Sequence, residues 1–253
     1  MILGIDSLTF IKRGEMVNII LFSDIHGNVE ALKAILDDIK LQQYDEIFFL
    51  GDAIGIGPSS KECIDILKET NIKCILGNHE LYLLNPSSIE PTTHKDVLLH
   101  HEWISELFDN EDKKFIRSWN KYLDIELAGK KMRFAHFVFK KDSNEFYSTK
   151  VIDTEDVINA IFEDDIDLYF IGHKHTPFVI KRYDKQIIDI GSSGCVNDNM
   201  TFYTILTITN SSIEIYKKYV EFDREKLVQK ILKKEYPART YFSKHYFNLN
   251  VNE

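Results

Sequence analysis

Five short polar clusters in this sequence carry residue types that bind metal ions: Asp24-Ile25-His26-Gly27-Asn28, Gly51-Asp52, Gly77-Asn78-His79-Glu80, the isolated His136, and Gly172-His173-Lys174-His175. They contain five of the nine histidines. Imidazole and carboxylate together suit manganese, iron, zinc or nickel, whereas magnesium or calcium would call for oxygen donors throughout. A pair of bridged cations needs about eight protein donors with one shared. Asp24, His26, Asp52, Asn78, His136, His173 and His175 supply seven side chains, and sharing one carboxylate completes the count. In extended chain, residues i and i+2 point the same way, so Asp24 with His26, and His173 with His175, would each offer two donors to one place. Taken singly, an Asp-x-His is more often a solvated turn than a ligand pair, and a lone histidine more often a satisfied core residue. Recurrence at five successive strand ends is what core packing does not explain. His94, His100, His101 and His245 have no such placement, and His100 and His101 are expected to lie exposed on a helix.

The elements that must position these clusters read as alternating strands and helices. Residues 17–22 (VNIILF) form a continuous apolar run ending at a polar turn, the mark of a strand buried on both faces. Asn28 is a good N-cap for a helix whose apolar face is Val29, Leu32, Ile35, Leu36 and Ile39. A strand follows at 46–50, then a helix opened by a capping box of Ser59 and Glu62, then a short strand at 73–76. Residues 85–123 are polar and helical in pattern, with Phe115, Ile116, Trp119 and Leu123 on one face and no strand signal. Further strands are expected at 131–137, 167–171 and 186–190, with a helix near 154–162. An antiparallel hairpin is expected over 202–209 and 212–219, and a helical tail broken at Pro237 over 223–246. In open α/β sheets the loops beyond the carboxyl ends of strands converge, so the five clusters can meet.

The 253 residues, 44% hydrophobic and 12% aromatic, suffice for one substantial core. We expect a single domain over 16–253 with a helical insertion at about 85–125. Lys12-Arg13-Gly14-Glu15 would have purine-rich codons, as a ribosome-binding sequence translated in frame before Met16 would. Residues 1–15 are therefore read as a non-native or unstructured extension, a genuine extra strand being the alternative. A net charge of −9 argues against long nucleic acid as a partner, since polyanion binders need a basic face. Cys63, Cys74 and Cys195 form neither a disulfide framework nor a Cys-x-x-Cys pair, which fits a reducing cytoplasm. No apolar run approaches the roughly 18 residues of a membrane span, and no secretion signal is evident.

Taken in order, SDIHGN, GDAIGIGP, GNHE, the later lone histidine and GHKH resemble the calcineurin-like metallophosphoesterase superfamily, in its small bacterial and archaeal branch of phosphodiesterases and dinucleoside tetraphosphate hydrolases. The resemblance implies an α/β fold, a four-layer αββα sandwich of two mixed sheets. It implies one metal held by Asp24, His26, Asp52 and His175 and a second by Asp52, Asn78, His136 and His173, with Asp52 bridging. His79 is similar to the family histidine that contacts the scissile phosphate and protonates the leaving group. The implied activity is hydrolysis of a phosphodiester or phosphoanhydride in a small, nucleotide-derived substrate, through attack by a hydroxide bridging two divalent ions, manganese or iron first and zinc or nickel next. A phosphomonoesterase, including one acting on phosphoserine or phosphothreonine, is the rival within the class. A protein-interaction scaffold without catalysis is the rival outside it, but such relatives lack part of the ligand set and here every position is filled.

Three departures from the family pattern stand out. Phe137 follows His136 where glycine is usual, which is read as packing. Ile56 replaces an aromatic residue in the glycine-rich loop, which puts base stacking there in doubt. Gly191-Ser192-Ser193-Gly194 resembles an Asn-Pro-Gly-Ser-Val-Gly loop whose first two positions are here Asp189 and Ile190, with turning the chain as its ordinary role.

Overall fold

The computed structural model describes residues 16–89, 93–138 and 165–251. The extension at 1–15 and the helix expected near 154–162 lie outside the described residues. Strand β1 (Val17–Phe22) is central in the first sheet, as a run apolar on both faces must be. Its side chains alternate. Ile19 and Leu21 face the second sheet, while Ile20 and Phe22 meet α1 (Val29–Ile39) and α2 (Ser60–Lys68). β1 pairs in parallel with β2 (Glu46–Phe49), which pairs in parallel with β3 (Lys73–Cys74). On its other side lies the expected hairpin of β9 (Met200–Ile208) and β10 (Ile213–Glu221). The first sheet therefore has the order β10-β9-β1-β2-β3.

The second sheet has the order β4-β5-β6-β8-β7 and contains two strands that the sequence did not suggest. β4 (Tyr122–Leu127) begins at the end of the helical stretch, so Leu123 belongs to a strand rather than to a helix face. It returns into β5 (Lys130–Ala135) through Ala128 (φ 52°) and Gly129 (φ 70°), a two-residue turn of the type that matches strand twist. β6 (Leu168–Ile171) is fully buried, with Leu168 and Phe170 toward the first sheet and Tyr169 and Ile171 away from it. β7 (Phe178–Arg182) is an edge strand, antiparallel to β8 (Lys185–Asp189), with Val179 exposed and charged neighbours. Its weak apolar alternation is normal for an edge.

α3 (Asn78–Leu84) leads into the stretch expected to be helical, which holds a short 3₁₀ turn, α4 (Lys95–Glu106) and α5 (Asn110–Arg117) before β4 begins. The tail forms α6 (Arg224–Lys233) and α7 (Arg239–Phe247) on either side of Pro237. Asn28 caps α1 as expected, its Oδ1 accepting from the Ala31 N–H at 3.1 Å. The capping box at α2 is not formed. Ser59 occupies the N-cap, but its hydroxyl donates to the Glu62 carboxylate at 2.9 Å instead of accepting from the backbone. Among the described residues no helix is long and apolar enough to cross a membrane.

His100 departs from its expected exposure. It is fully buried on α4, packed against Phe242 and Trp103. Its Nε2 accepts from the Ile56 N–H at 3.0 Å, which leaves Nδ1–H to donate to the Pro237 carbonyl at 3.0 Å. Burial lowers its pKa to about 3, so the ring is neutral and suited to both bonds. The tail helices cover what reads locally as a polar surface, and the ring becomes a strut between them and the glycine-rich loop.

Candidate metal centre

The carboxyl ends of β1, β2, β3, β5 and β6 meet at one edge of the two sheets, and their loops are laced together by backbone bonds. Asp24 N–H donates to Gly51 O at 2.9 Å, His26 N–H to Asp52 O at 2.9 Å, and Gly172 N–H to His136 O at 3.0 Å. The donors converge through a different geometry from the extended alternation expected. Asp24, His26, Asp52, His173 and His175 all have left-handed backbone, with φ between 47° and 75°. A non-glycine residue held there costs on the order of 1–3 kcal/mol. Five strained residues in one small volume therefore represent a sizeable conflict between backbone preference and side-chain placement.

All seven candidate ligands come together: Asp24, His26, Asp52, Asn78 and His136 are buried, and His173 and His175 are half-buried. His26 Nε2 lies 2.9 Å from His175 Nε2 and 3.6 Å from both Asp24 Oδ1 and Asp52 Oδ2. His136 Nε2 lies 3.2 Å from Asp52 Oδ2, 3.2 Å from Asn78 Oδ1 and 3.9 Å from Asp24 Oδ1. His175 Nε2 lies 3.3 Å from Asp24 Oδ1. One nitrogen of His173 groups with His136 and an Asp52 oxygen, all within 4.8 Å of one another. Two rings are aimed by their far nitrogens: His136 Nδ1 donates to Leu50 O at 2.7 Å and His26 Nδ1 to Ile54 O at 3.2 Å. Both therefore aim Nε2 at the centre, and once any proton there is displaced that nitrogen presents the lone pair a metal ligand needs.

The charge state fits the same reading. Burial alone would raise the pKa of Asp24 and Asp52, but His136 and the other surrounding histidines hold both well below the carboxylate range. Burial opposes charge on His136, yet Asp52 and Asp24 carry it up to about 9. His173 is lowered to about 4, by burial and then by charged His136. Two buried carboxylates thus hold protons on neighbouring imidazoles where cations would serve the same electrostatic purpose. The donor set, its aim and its charge fit a pair of transition-metal ions.

His79 sits beside this group. Its backbone N–H donates to Asp52 Oδ1 at 2.9 Å, its ring lies 4.9 Å from that of His26, and its buried Nδ1 has no hydrogen-bond partner among the described residues. The glycines of the motifs make room for these groups: a Cβ on Gly77 would collide with Asp52 Oδ1, on Gly55 with His79 Nδ1, and on Gly172 with Asp24 Oδ2. Phe137 is buried with its ring edge-on to those of His136 and His173, so it packs the ligands from behind. Ile56 is buried against Ala31, Phe242 and Phe247 and offers no face to a base.

Several neighbours of the centre carry no obvious signal in the sequence. Glu80, quoted above only as part of a motif, is fully buried and accepts four backbone N–H groups, from Asp52 (2.8 Å), Ala53 (2.9 Å), Ile54 (3.3 Å) and Gly77 (2.9 Å). It fixes the Asp52 turn to the start of α3, and Asn78 opens that helix rather than capping it. Glu80→Gln keeps the volume but turns donors toward donors. Burial and then Asp52 push the Glu80 carboxyl up to about 7, so above that pH, where it is ionised, we expect a loss of about 3 kcal/mol, since charged hydrogen bonds contribute roughly 1.5–3 kcal/mol each and orphaned groups add to that. Chemical denaturation would measure it, and a change below about 1 kcal/mol would contradict this account. His101 and Tyr82 flank the His79 ring, at centroid distances of 5.3 and 5.9 Å, and Tyr246 lies 5.6 Å from His175. His79 and Tyr82 are three apart on α3, a spacing that makes them neighbours.

Comparison with known proteins agrees with this architecture. Residues 17–211 match the model of the calcineurin-like phosphoesterase superfamily domain. An uncharacterized protein of Methanocaldococcus jannaschii is 32% identical over 237 residues, covering 87% of this chain and 93% of its own. The symmetrical bis(5'-nucleosyl)-tetraphosphatase of Haemophilus ducreyi is 37% identical over 67 residues, a match confined to 25% of each chain. Among solved structures, a metallophosphoesterase from Sphaerobacter thermophilus superposes with a TM-score of 0.64 at 20% identity, covering 86% of this chain and 93% of that one.

Proposed function

This chain belongs to the calcineurin-like phosphoesterase superfamily and is a phosphoester hydrolase, and on that premise we propose that it is a cytoplasmic two-metal enzyme cleaving a phosphodiester or phosphoanhydride in a small nucleotide-derived substrate. The observation that carries this reading is the convergence of seven buried or partly buried donors with the two best-aimed imidazoles locked by backbone carbonyls. Asp24, His26, Asp52 and His175 would hold one cation and Asp52, Asn78, His136 and His173 the other, with manganese or iron favoured over zinc or nickel. When bound, such a pair supplies Lewis acidity at the phosphoryl group and brings the pKa of water toward neutrality.

The protein's own groups do the rest. Glu80 and the laced loops keep Asp52 and Asn78 in register, so the donors are preorganised. His79, whose ring lies 4.9 Å from that of His26, would meet a phosphoryl or leaving-group oxygen beside Asp52. Tyr82, His101 and Tyr246 border the centre with ring faces suited to a nucleoside, and the short likeness to a dinucleoside tetraphosphatase supports that substrate class. The positive charge of bound cations would also explain how a protein of net charge −9 attracts an anion.

The test is turnover of a bis-nitrophenyl diester, a nitrophenyl monoester and a dinucleoside tetraphosphate after chelation and after manganese loading. We expect metal-dependent cleavage of the diester and the tetraphosphate, with the monoester slowest. Preference for the monoester would replace the proposed substrate class, and turnover unaffected by chelation would remove the metals from the mechanism.

A further inference from the structure

Cys195 lies beyond the donors assigned above, yet it is placed like one of them. Its Sγ and ring nitrogens of His26 and His175 all lie within 4.8 Å of one another. A cation at ordinary Zn–N and Zn–S distances holds neighbouring donors roughly 3–3.6 Å apart; the two imidazole nitrogens are 2.9 Å apart and the sulfur lies within reach of the same ion. The other two cysteines, Cys63 and Cys74, are buried in the core and belong to the packing of the first sheet.

The placement follows from how its loop is held. Ser193 N–H donates to Ser23 O at 2.9 Å, Gly194 N–H to Asp24 O at 3.0 Å, the Ser192 hydroxyl to Asp24 O at 2.8 Å, and Asn28 Nδ2 to Gly194 O at 2.8 Å. The Ser192 hydroxyl also accepts from the Cys195 N–H at 2.8 Å. A Cβ on Gly194 would collide with the Ile25 backbone, so this loop presses directly on the loop that presents Asp24 and His26. The stretch therefore does more than turn the chain: it braces the first ligand loop and delivers a thiol to the same spot.

Resting on the two-metal reading, we propose that Cys195 is a thiolate ligand of the cation held by Asp24, His26 and His175. Coordination replaces the thiol proton, which leaves to solvent, with the metal. A sulfur donor favours zinc, iron or cobalt over manganese, so in this half of the centre the order given above changes and manganese yields to iron or zinc.

The experiment uses full-length protein stripped of metal and loaded with cobalt(II), comparing the unmodified chain with Cys195→Ser. We expect two cobalt ions per chain, visible ligand-field bands in both proteins, and a near-ultraviolet thiolate-to-cobalt charge-transfer band in the unmodified chain alone. The zinc-over-manganese binding preference should fall about tenfold or more in Cys195→Ser. Ligand-field bands without a charge-transfer band, or a charge-transfer band that persists in Cys195→Ser, would overturn the assignment. Absence of cobalt binding altogether would overturn the two-metal reading and this assignment with it, and the missing visible bands distinguish that result from the others.

Discussion

Asp52→Ala should release both cations and lower kcat/KM by about 10³-fold or more, since even loss of an outer-shell partner typically costs 10- to 100-fold. The argument rests on where Asp52 stands. Its Oδ2 is 3.6 Å from His26 Nε2 on one side and 3.2 Å from His136 Nε2 on the other, and its side chain takes part in both candidate groupings that contain His79 or His173. Asp24, by contrast, is closest to His175 and His26. His175→Ala should therefore weaken chiefly one ion and leave the second bound. Elemental analysis after manganese loading, alongside kcat/KM for each variant, separates the two cases. Equal loss of a single ion in both variants would sink the bridging role.

His79→Asn should retain both cations and divide substrates by their leaving group. The hydrogen bond from His79 to Asp52 comes from its backbone N–H, which asparagine retains, so replacing the imidazole leaves that carboxylate held. Burial, aided by neighbouring histidines and opposed by Asp52, draws its pKa well below the ordinary imidazole value. The ring is therefore neutral at rest; beside a bound anionic phosphate its protonated form is favoured, so it can take a proton from solvent and pass it to the departing oxygen. Such assistance contributes about 10² to 10⁴ in rate where the departing oxygen needs a proton. A nitrophenolate leaves without help. We expect a small loss on a nitrophenyl diester and a loss of about 10²-fold or more on an unactivated ester. Equal losses on both substrates would mean that the ring only orients the phosphate, and loss of an ion would mean that it supports a ligand.

What was legible in the sequence was what local chemistry encodes. β1 is readable because six successive residues need burial on both faces, and the Asn28 cap because one side chain satisfies a backbone group three residues away. The candidate ligands were legible because no packing rule places five histidines at strand ends. β4 and β7 were not, since Tyr122–Leu127 and Phe178–Arg182 carry charged residues along a sheet that is only half buried there. Register with β5 and β8, which lies outside those segments, is what makes them strands. His100 was misread for a related reason: its partners Ile56 and Pro237 are 44 and 137 residues away, and no local pattern announces them. Pairing of Asp24 with His26 was anticipated, but from an extended backbone that the chain does not adopt.

The left-handed backbone at Asp24, His26, Asp52, His173 and His175 bears on how such a lineage would drift. At each of these positions the main chain would be most comfortable with glycine, while the proposed metal centre calls for a carboxylate or an imidazole. A duplicated copy relieved of its catalytic duty would find substitutions there that relax the fold, and the two aspartates would also shed a buried charge. Decay of the centre is then not a neutral walk but a slope. Screening variants for heat resistance alone would select against the proposed metal centre well before it disturbed the two sheets that carry it.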